Sequence, residues 1–294
     1  MSRVSKIKDV GEILDEYLED GIDIALGGIL TYNTPSAMAR AIINSGKGGF
    51  TLYSFMGTYP VDLLIGSGLV DRVMAPFITF GEMGLAPAFR RMVESGKVRV
   101  IEVDERFWGF SLKAGAANLP FIPLAEGYDT DIPRVNPMYK YVESPFNGKK
   151  YIAIPPLKPS LSFIYVQYSD EYGNGINMGN PATDRLLAKA SRRVILICDR
   201  LIPHEEVRMR NRDVTIPGFL VDAVVELEFA CHPLGSDTLY RRDDEHLIMY
   251  IKMAKTEDGF RDYLKRYVYG LGHREYLESI GLDRLRGLVV KGVE

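Results

Sequence analysis

The sequence predicts an α/β protein with an open, mostly parallel sheet flanked by helices and a helical C-terminal cap. Three observations carry that reading. Short strands rich in Val, Ile and Leu alternate with helices of about ten residues, which is the pattern of βαβ units. Strands stop at turn residues, as residues 22–26 do at Gly27-Gly28 and residues 221–229 do before Pro233. After Arg241 the composition shifts to charged helices broken by Gly259, Gly270 and Gly272. The expected organisation is one α/β unit over 1–240, with an irregular excursion near 126–159, and a cap of the same domain over 241–294.

Ile7, Val10, Leu14 and Leu18 recur at helical spacing and predict an amphipathic helix ending near Asp20-Gly21. Residues 22–26 form a strand stopped by the glycine pair. Thr34-Pro35 opens the next helix, because Thr suits the N-cap and Pro the first helical position. That helix runs through Met38, Ile42 and Ile43 to Gly46. Residues 50–55 read as a strand, 62–69 as a short helix and 73–79 as a strand. Residues 83–95 place Leu85, Phe89, Met92 and Val93 on one helical face. A strand at 98–103 precedes a helix through 110–118, which stops at Leu119-Pro120. The stretch 126–159 loses periodicity amid prolines and tyrosines and reads as an ordered excursion, a lid or a contact between subunits. Regularity returns with a strand at 161–167, a helix at 184–190 and a strand at 194–198. Ile216-Pro217-Gly218 reverses the chain. The strand that follows ends in Ala230-Cys231-His232-Pro233, since Pro cannot continue a central ladder. Strand ends of this kind border sites in α/β sheets.

The chain has 294 residues, 46% hydrophobic and 26% charged, an ordinary globular composition. A net charge of -3 leaves no basic footprint for nucleic acid. The two cysteines, Cys198 and Cys231, lie in apolar strand contexts and are expected as buried free thiols rather than a disulfide. The first residues lack the apolar core of a signal peptide, and no apolar run approaches the roughly 20 residues a bilayer span needs. A soluble cytoplasmic protein, bound to neither membrane nor nucleic acid, is expected.

Common catalytic fingerprints fail. Gly66-Ser67-Gly68 has Asp71 where a dinucleotide motif needs its third glycine, and neither Gly46-Lys47 nor Gly96-Lys97 completes a P-loop. His204-Glu205-Glu206 lacks a second histidine four residues on, and the histidine spacing suggests no metal site. His204, His246 and His273 read as surface helix residues, and His232 as either a buried hydrogen-bonded residue or one near a site mouth. Gly27 and Gly28 follow a strand, where outward-turned N–H groups could stabilise a thioester oxyanion. The alternative is a tight turn without a ligand. Leu119–Pro123 reads as an apolar wall, written LPFIP.

Several segments together resemble the A (alpha) chains of family I CoA-transferases. These are ALGG at 25–28 with Pro35, DLLIGSGLVDRV at 62–73, FRRMVESGK at 89–97 and AANLPFIP at 116–123. YVESPFNGKK at 141–150, IAIPPLKPSLSFIYVQYSDEYGN at 152–174, IPGFLVDAVV at 216–225 and HREYLESIGLDRL at 273–285 continue the series in order. The resemblance is to the glutaconate CoA-transferase A type and spans essentially the whole chain. It implies transfer of CoA between an acyl-CoA and a carboxylic acid through a glutamyl-CoA thioester. The acyl carbonyl is attacked by a Glu carboxylate of a partner B (beta) subunit, and the released thiolate attacks the resulting anhydride. This chain has no Glu-Asn-Gly turn, and Glu82-Met83-Gly84 stands in the context of an A-type chain. The implied partner therefore supplies the nucleophile, in a heterotetramer or heterooctamer, with no tightly bound cofactor, no metal and CoA thioester as substrate.

The substrate and CoA contacts expected from this chain are Gly27, Gly28, Asn33, Phe80, Gly81, Glu82 and Gln167. Three departures from the family pattern bear on the acyl group. Leu30, Tyr32, Asn33 and Thr34 replace a glycine or basic residue, the segment before Gly81 is apolar, and Ala230-Cys231 replaces the usual Gly-Ala. They imply a less polar acyl pocket than glutaconate needs. The family also contains two-chain hydrolases that open a ring of CoA-bound substrates with an acidic residue at the place of Glu105. Glu105 is thus either that carboxylate or an acid complementing a helix N-terminus. A non-catalytic effector-binding protein is the remaining alternative.

Overall fold

Alternation along the longest strand sets the architecture. Leu161, Phe163 and Tyr165 fall on one face and Ile164 and Val166 on the other, and all five are buried. Such a strand needs cover on both faces, which crossover helices on a parallel sheet provide. The computed structural model describes residues 4–125 and 130–290. Its main sheet has seven parallel strands: β1 Asp23–Leu26, β2 Phe50–Ser54, β3 Val70–Met74, β4 Arg99–Ile101, β5 Leu161–Ser169, β6 Arg193–Leu201 and β7 Ala223–Glu226. Their spatial order is β4-β3-β2-β1-β5-β6-β7. Gly175–Ile176 and Val214–Ile216 add antiparallel at the far end of β5. The open, mostly parallel sheet flanked by helices is the one expected from the sequence.

One face of the sheet is covered by helices Val10–Tyr17, Ser36–Ser45, Tyr59–Gly66 and Pro87–Glu94, and its core includes Ile24, Phe163 and Ile197. The other face is covered by Glu105–Ala116 and Asp184–Ala190, where Phe107, Leu112 and Leu187 join Ile164 and Leu196. Helices Asp244–Ala254, Glu257–Tyr267, His273–Ile280 and Leu282–Leu288 form the helical C-terminal region. Leu247, Tyr250, Phe260 and Tyr263 from these helices share the first core with the sheet.

Local chemistry moves several boundaries. Pro35 itself occupies the N-cap of Ser36–Ser45, while the Thr34 hydroxyl turns back to the Tyr32 carbonyl. The strand expected at 73–79 divides into β3 and Phe77–Ile78, because Pro76 between them has no N–H for a ladder. The helix expected from residue 83 begins at Pro87, after a tight turn at Gly81–Met83. The helix expected at 110–118 begins at Glu105, because the Asp104 carboxylate accepts the Phe107 N–H at 2.7 Å and caps it. The excursion contributes Lys140–Glu143 and Lys150–Ile154 to an antiparallel sheet completed by Ile122–Leu124 just before it; its residues 126–129 lie outside the described ones.

His246, expected on the surface, is instead only 3% exposed. Tyr263, Tyr267 and Tyr276 of neighbouring helices surround its ring, and its Nε2 meets the Tyr263 hydroxyl at 2.8 Å. His204 and His273 are half-buried and bonded to Asp170 and to the Glu228 carbonyl. Cys198 and Cys231 are buried free thiols.

Candidate functional site

Because β1 to β7 are parallel, their carboxyl ends and the loops that follow converge on one edge of the sheet. β5 outruns β1 there: pairing with β1 ends at Phe163, and Gln167 lies two steps of alternation beyond. On the same face Phe163 and Tyr165 give way to Gln167, and Ile195 and Ile197 of β6 give way to Asp199. The apolar core thus turns polar at the carboxyl edge.

Gln167 and Asn33 are fully buried and hold that edge together. The Gln167 Nε2 donates to the Asp237 carbonyl at 2.9 Å, and to Asn33 Oδ1 and Ser236 Oγ at 3.2 Å each. Its Oε1 accepts the Met178 N–H at 2.9 Å. Asn33 Nδ2 donates to Asp237 Oδ2 at 3.0 Å, and Oδ1 accepts the Asp237 N–H at 3.0 Å. Both side-chain amides are therefore engaged within the chain. They frame the edge, with their hydrogen bonds made inside the chain. Tyr165 donates to Ser236 Oγ at 2.7 Å and also contacts the Asp199 carboxyl. Burial pushes Asp199 up to about 8 against the opposing hydrogen bonds from the Phe229 and Ala230 backbone.

The glycine pair departs from its expected role. Gly27 N–H donates to the Phe163 carbonyl at 2.9 Å, and Gly28 N–H donates to Asp184 Oδ1 at 3.0 Å. Both donors point into the fold, so neither is a free oxyanion donor. What requires glycine is close approach. Gly28 has φ +92, and a Cβ there would collide with the Asn33 carbonyl and Thr34 hydroxyl. A Cβ on Gly27 would press against the Asp184 carboxyl at 2.7 Å. Asp184 is 1% exposed, and burial pushes it up to about 7. Leu30 has φ +46, a left-handed value unusual for Leu, and Asn33 has φ +56, which Asn tolerates. Backbone strain of this kind clusters at functional sites.

The remaining expected residues lie on surrounding loops. Phe80, expected as a substrate contact, is fully buried, with its ring 5.8 Å from that of Tyr250 in the core. Gly81 and Glu82 are exposed. The Glu82 carboxylate pairs with Arg242, which also bonds Asp244 Oδ1 at 2.6 Å and reaches Thr31 Oγ1 at 3.4 Å. Glu105 is exposed on the first residue of its helix, after β4. His232 is fully buried between Tyr276 and Asp243, the structural alternative of the two considered. Among the described residues, no group of three or more His, Cys, Asp or Glu could hold a metal.

Tyr165, Asp184, Asp199, Ser236 and Asp237 were not picked out by sequence reasoning. Asp199 was legible, as a carboxyl interrupting a run of buried β-branched residues. Asp184 was not, because a first-turn acid ordinarily complements the helix dipole in solvent.

The geometry is matched by kinship. A family model described as coenzyme A transferase covers residues 7–227. The chain belongs to the coenzyme A transferase family. Over 99% of its length it is 29% identical to the A chain of glutaconate CoA-transferase from Acidaminococcus fermentans, of which it covers 95%. The solved glutaconate CoA-transferase of that organism aligns with a TM-score of 0.93 at 28% identity, over 98% of this chain and 96% of that one. The chain is also 27% identical to the cholesterol ring-cleaving hydrolase IpdA subunit of Rhodococcus jostii, covering 91% of this chain and 92% of that one. An uncharacterized protein of Archaeoglobus fulgidus is 35% identical over 96% of this chain, which spans 64% of that protein. This CoA-transferase family member is a subunit of the A type, and enzymes of the family use CoA thioesters. Among its described residues, no helix is long and apolar enough to cross a membrane.

Proposed function

We propose that the chain is the A half of a two-subunit CoA-transferase that moves CoA between an acyl-CoA and a carboxylic acid. The single observation that carries this is the set of carboxyls at the edge. Asp199 and Asp184 are buried and pushed up to about 8 and about 7, and Glu82 is held by Arg242, so none of these three is a free nucleophile. That leaves Glu105 as the exposed carboxylate of those named at the edge. With no Glu-Asn-Gly turn in this chain, the nucleophilic Glu belongs to a B subunit. In the first half-reaction that carboxylate displaces CoA thiolate from the acyl carbonyl, forming an anhydride. The thiolate attacks the glutamyl carbonyl, releasing the acyl carboxylate and leaving glutamyl-CoA. The acceptor carboxylate then attacks the glutamyl thioester, the thiolate adds to the new acyl carbonyl, and the Glu is regenerated. This chain contributes the rigid glycine loop and its polar frame as one wall of the site. The apolar residues Leu30 and Tyr32 in that loop favour an acyl group less polar than glutaconate.

Co-expression with its B subunit should give CoA transfer from acetyl-CoA to short carboxylic acids, in a heterotetramer or heterooctamer, and the isolated chain should give none. Full transfer by the isolated chain would overturn the proposal. A hydrolase reading has its own support in the exposed Glu105 at the carboxyl edge and the kinship with a ring-cleaving hydrolase. Under it, Glu105→Gln abolishes CoA-ester turnover while leaving assembly intact. Under the transferase reading the same variant transfers CoA normally.

A further inference from the structure

On the face opposite the excursion, one cation lacks the counter-charge that burial normally demands. Arg40, on the helix Ser36–Ser45, is only 3% exposed, yet no carboxylate among the described residues lies within ion-pair distance of it. Its guanidinium lies 3.5 Å from the centre of the Tyr276 ring. One NH2 group donates to the His232 carbonyl at 2.9 Å, and the other meets His273 Nδ1 at 3.4 Å. His273 donates from Nε2 to the Glu228 carbonyl at 2.7 Å, so Nδ1 is the acceptor and the ring is neutral. Burial, reinforced by Arg40, pushes His273 down to about 4. A buried charge is normally paired, and a guanidinium carries five donors in a fork that matches a carboxylate.

Arg40 also lines a cavity of about 480 Å³ between the helix Val10–Tyr17, its own helix and the loop before His273. That volume is in the range of small-molecule sites. Val10, Leu14, Ala37, Ala41, Leu227 and Leu271 supply apolar walls. Of the other polar groups there, Asn44 and Lys47 are already committed, and Asp15 is an exposed acid on the first helix. Asn44 Nδ2 donates to the Val268 and Leu271 carbonyls at 2.9 and 3.0 Å, and Lys47 donates to the Leu14 and Leu18 carbonyls at 2.8 and 2.7 Å. Those bonds also hold the walls open as a fixed shape. No residue of the carboxyl-edge frame lines this space.

We propose that this cavity binds a monocarboxylate with an apolar tail, its carboxylate on Arg40 and its tail along Val10, Leu14 and Leu271. The site is separate from the CoA-transfer reading and stands whether or not that reading holds. A bound carboxylate completes the charge balance of Arg40 and joins the first helix to the C-terminal helices.

Octanoate is the probe, titrated calorimetrically into the full-length chain, with octanol as its neutral match. Octanoate binds with one site, and octanol binds at least about tenfold more weakly, the loss expected when a charge-assisted pair is missing. Arg40→Met weakens octanoate by a similar factor. Because Arg40→Met removes interior hydrogen bonds, Ala41→Trp serves as the second variant: it fills the cavity from its half-buried wall and leaves Arg40 in place. Ala41→Trp abolishes binding, while the wild-type His273 ring resonances shift on adding octanoate. Equal binding of octanol, unchanged binding to Ala41→Trp or unmoved His273 resonances would each overturn the proposal. The last two outcomes would assign octanoate to the carboxyl edge, as an acceptor of the transfer reaction.

Discussion

At the carboxyl edge the buried ionisable groups are carboxylic acids, whereas in the C-terminal helices they are mainly histidines. Both sets are buried or half-buried, and burial disfavours whichever form carries charge. The consequences are opposite. Asp199 and Asp184 are pushed up to about 8 and about 7, while His246 and His273 are pushed down to about 3 and about 4. In the frame, the folded state binds protons more tightly than the unfolded chain. Its contribution to stability is therefore complete below about pH 4 and is lost as pH rises toward 8. In the helices the folded state binds protons less tightly. That contribution is complete above about pH 6.5 and is lost as pH falls toward 3–4. One physical cause thus limits the molecule from both sides, with Asp62 under the helices following the acid rule at about 6.

The comparison breaks most readily at Asp243, an ionised carboxylate buried in the C-terminal region with full partners. Burial works against its charge. Two Arg284 bonds of 2.6 Å, His232 at 3.2 Å and the His246 N–H at 3.0 Å outweigh that and hold it well below the usual carboxylate range. Asp243→Ala leaves His232 Nε2 and part of Arg284 unpartnered, at a cost of about 2–4 kcal/mol in urea unfolding near pH 7. Asp199→Asn, at a residue already favouring its neutral form, should cost less than about 1 kcal/mol at pH 6. A smaller loss from Asp243→Ala than from Asp199→Asn would reverse the ranking of the two regions.

The next effect concerns slope rather than level. Stability measured from pH 4 to pH 9 should pass through a maximum, and Asp199→Asn should flatten the alkaline fall by on the order of 1–2 kcal/mol. It should also steepen the acid fall, because the Asp199 contribution already declines between about pH 4 and pH 6.5, where those of His246 and His273 grow. An alkaline limb unchanged by Asp199→Asn would mean that Asp199 titrates alike folded and unfolded.

Sequence legibility differed between the two regions in the same physical way. The strands, the glycine pair and the succession of helices are local patterns of alternation and turn chemistry, and they were readable. Gly28 was readable as a turn. That its N–H points at Asp184, 156 residues away, was not, because such a bond depends on how layers pack. Phe80 is similar: its apolar neighbours suggested a pocket wall, while the chain turns its ring onto Tyr250. His246 read as a surface residue because its charged neighbours are exposed, yet three tyrosines from other helices cover it. One missed feature did have a local signal. Asn147-Gly148 is a hairpin dipeptide, and it joins the two strands concealed in the excursion.

The smallest effect lies where the two regions meet. Arg242 spans them, bonding Asp244 at the start of the C-terminal helices, Thr31 in the glycine loop and Glu82 beyond β3. The Glu82 side chain is 67% exposed, so solvent screens the pair, and Glu82→Gln should leave stability close to wild type. A role at the site predicts something that stability cannot register. Freed from Glu82, Arg242 keeps its bond to Asp244 and shifts away from the loop carrying Gly81. KM for the CoA ester should then rise about two- to fivefold with kcat nearly unchanged, the signature of lost uniform binding. If both constants stay at wild-type values, Glu82 is only a surface ion pair, and the wall of the site ends at the glycine loop.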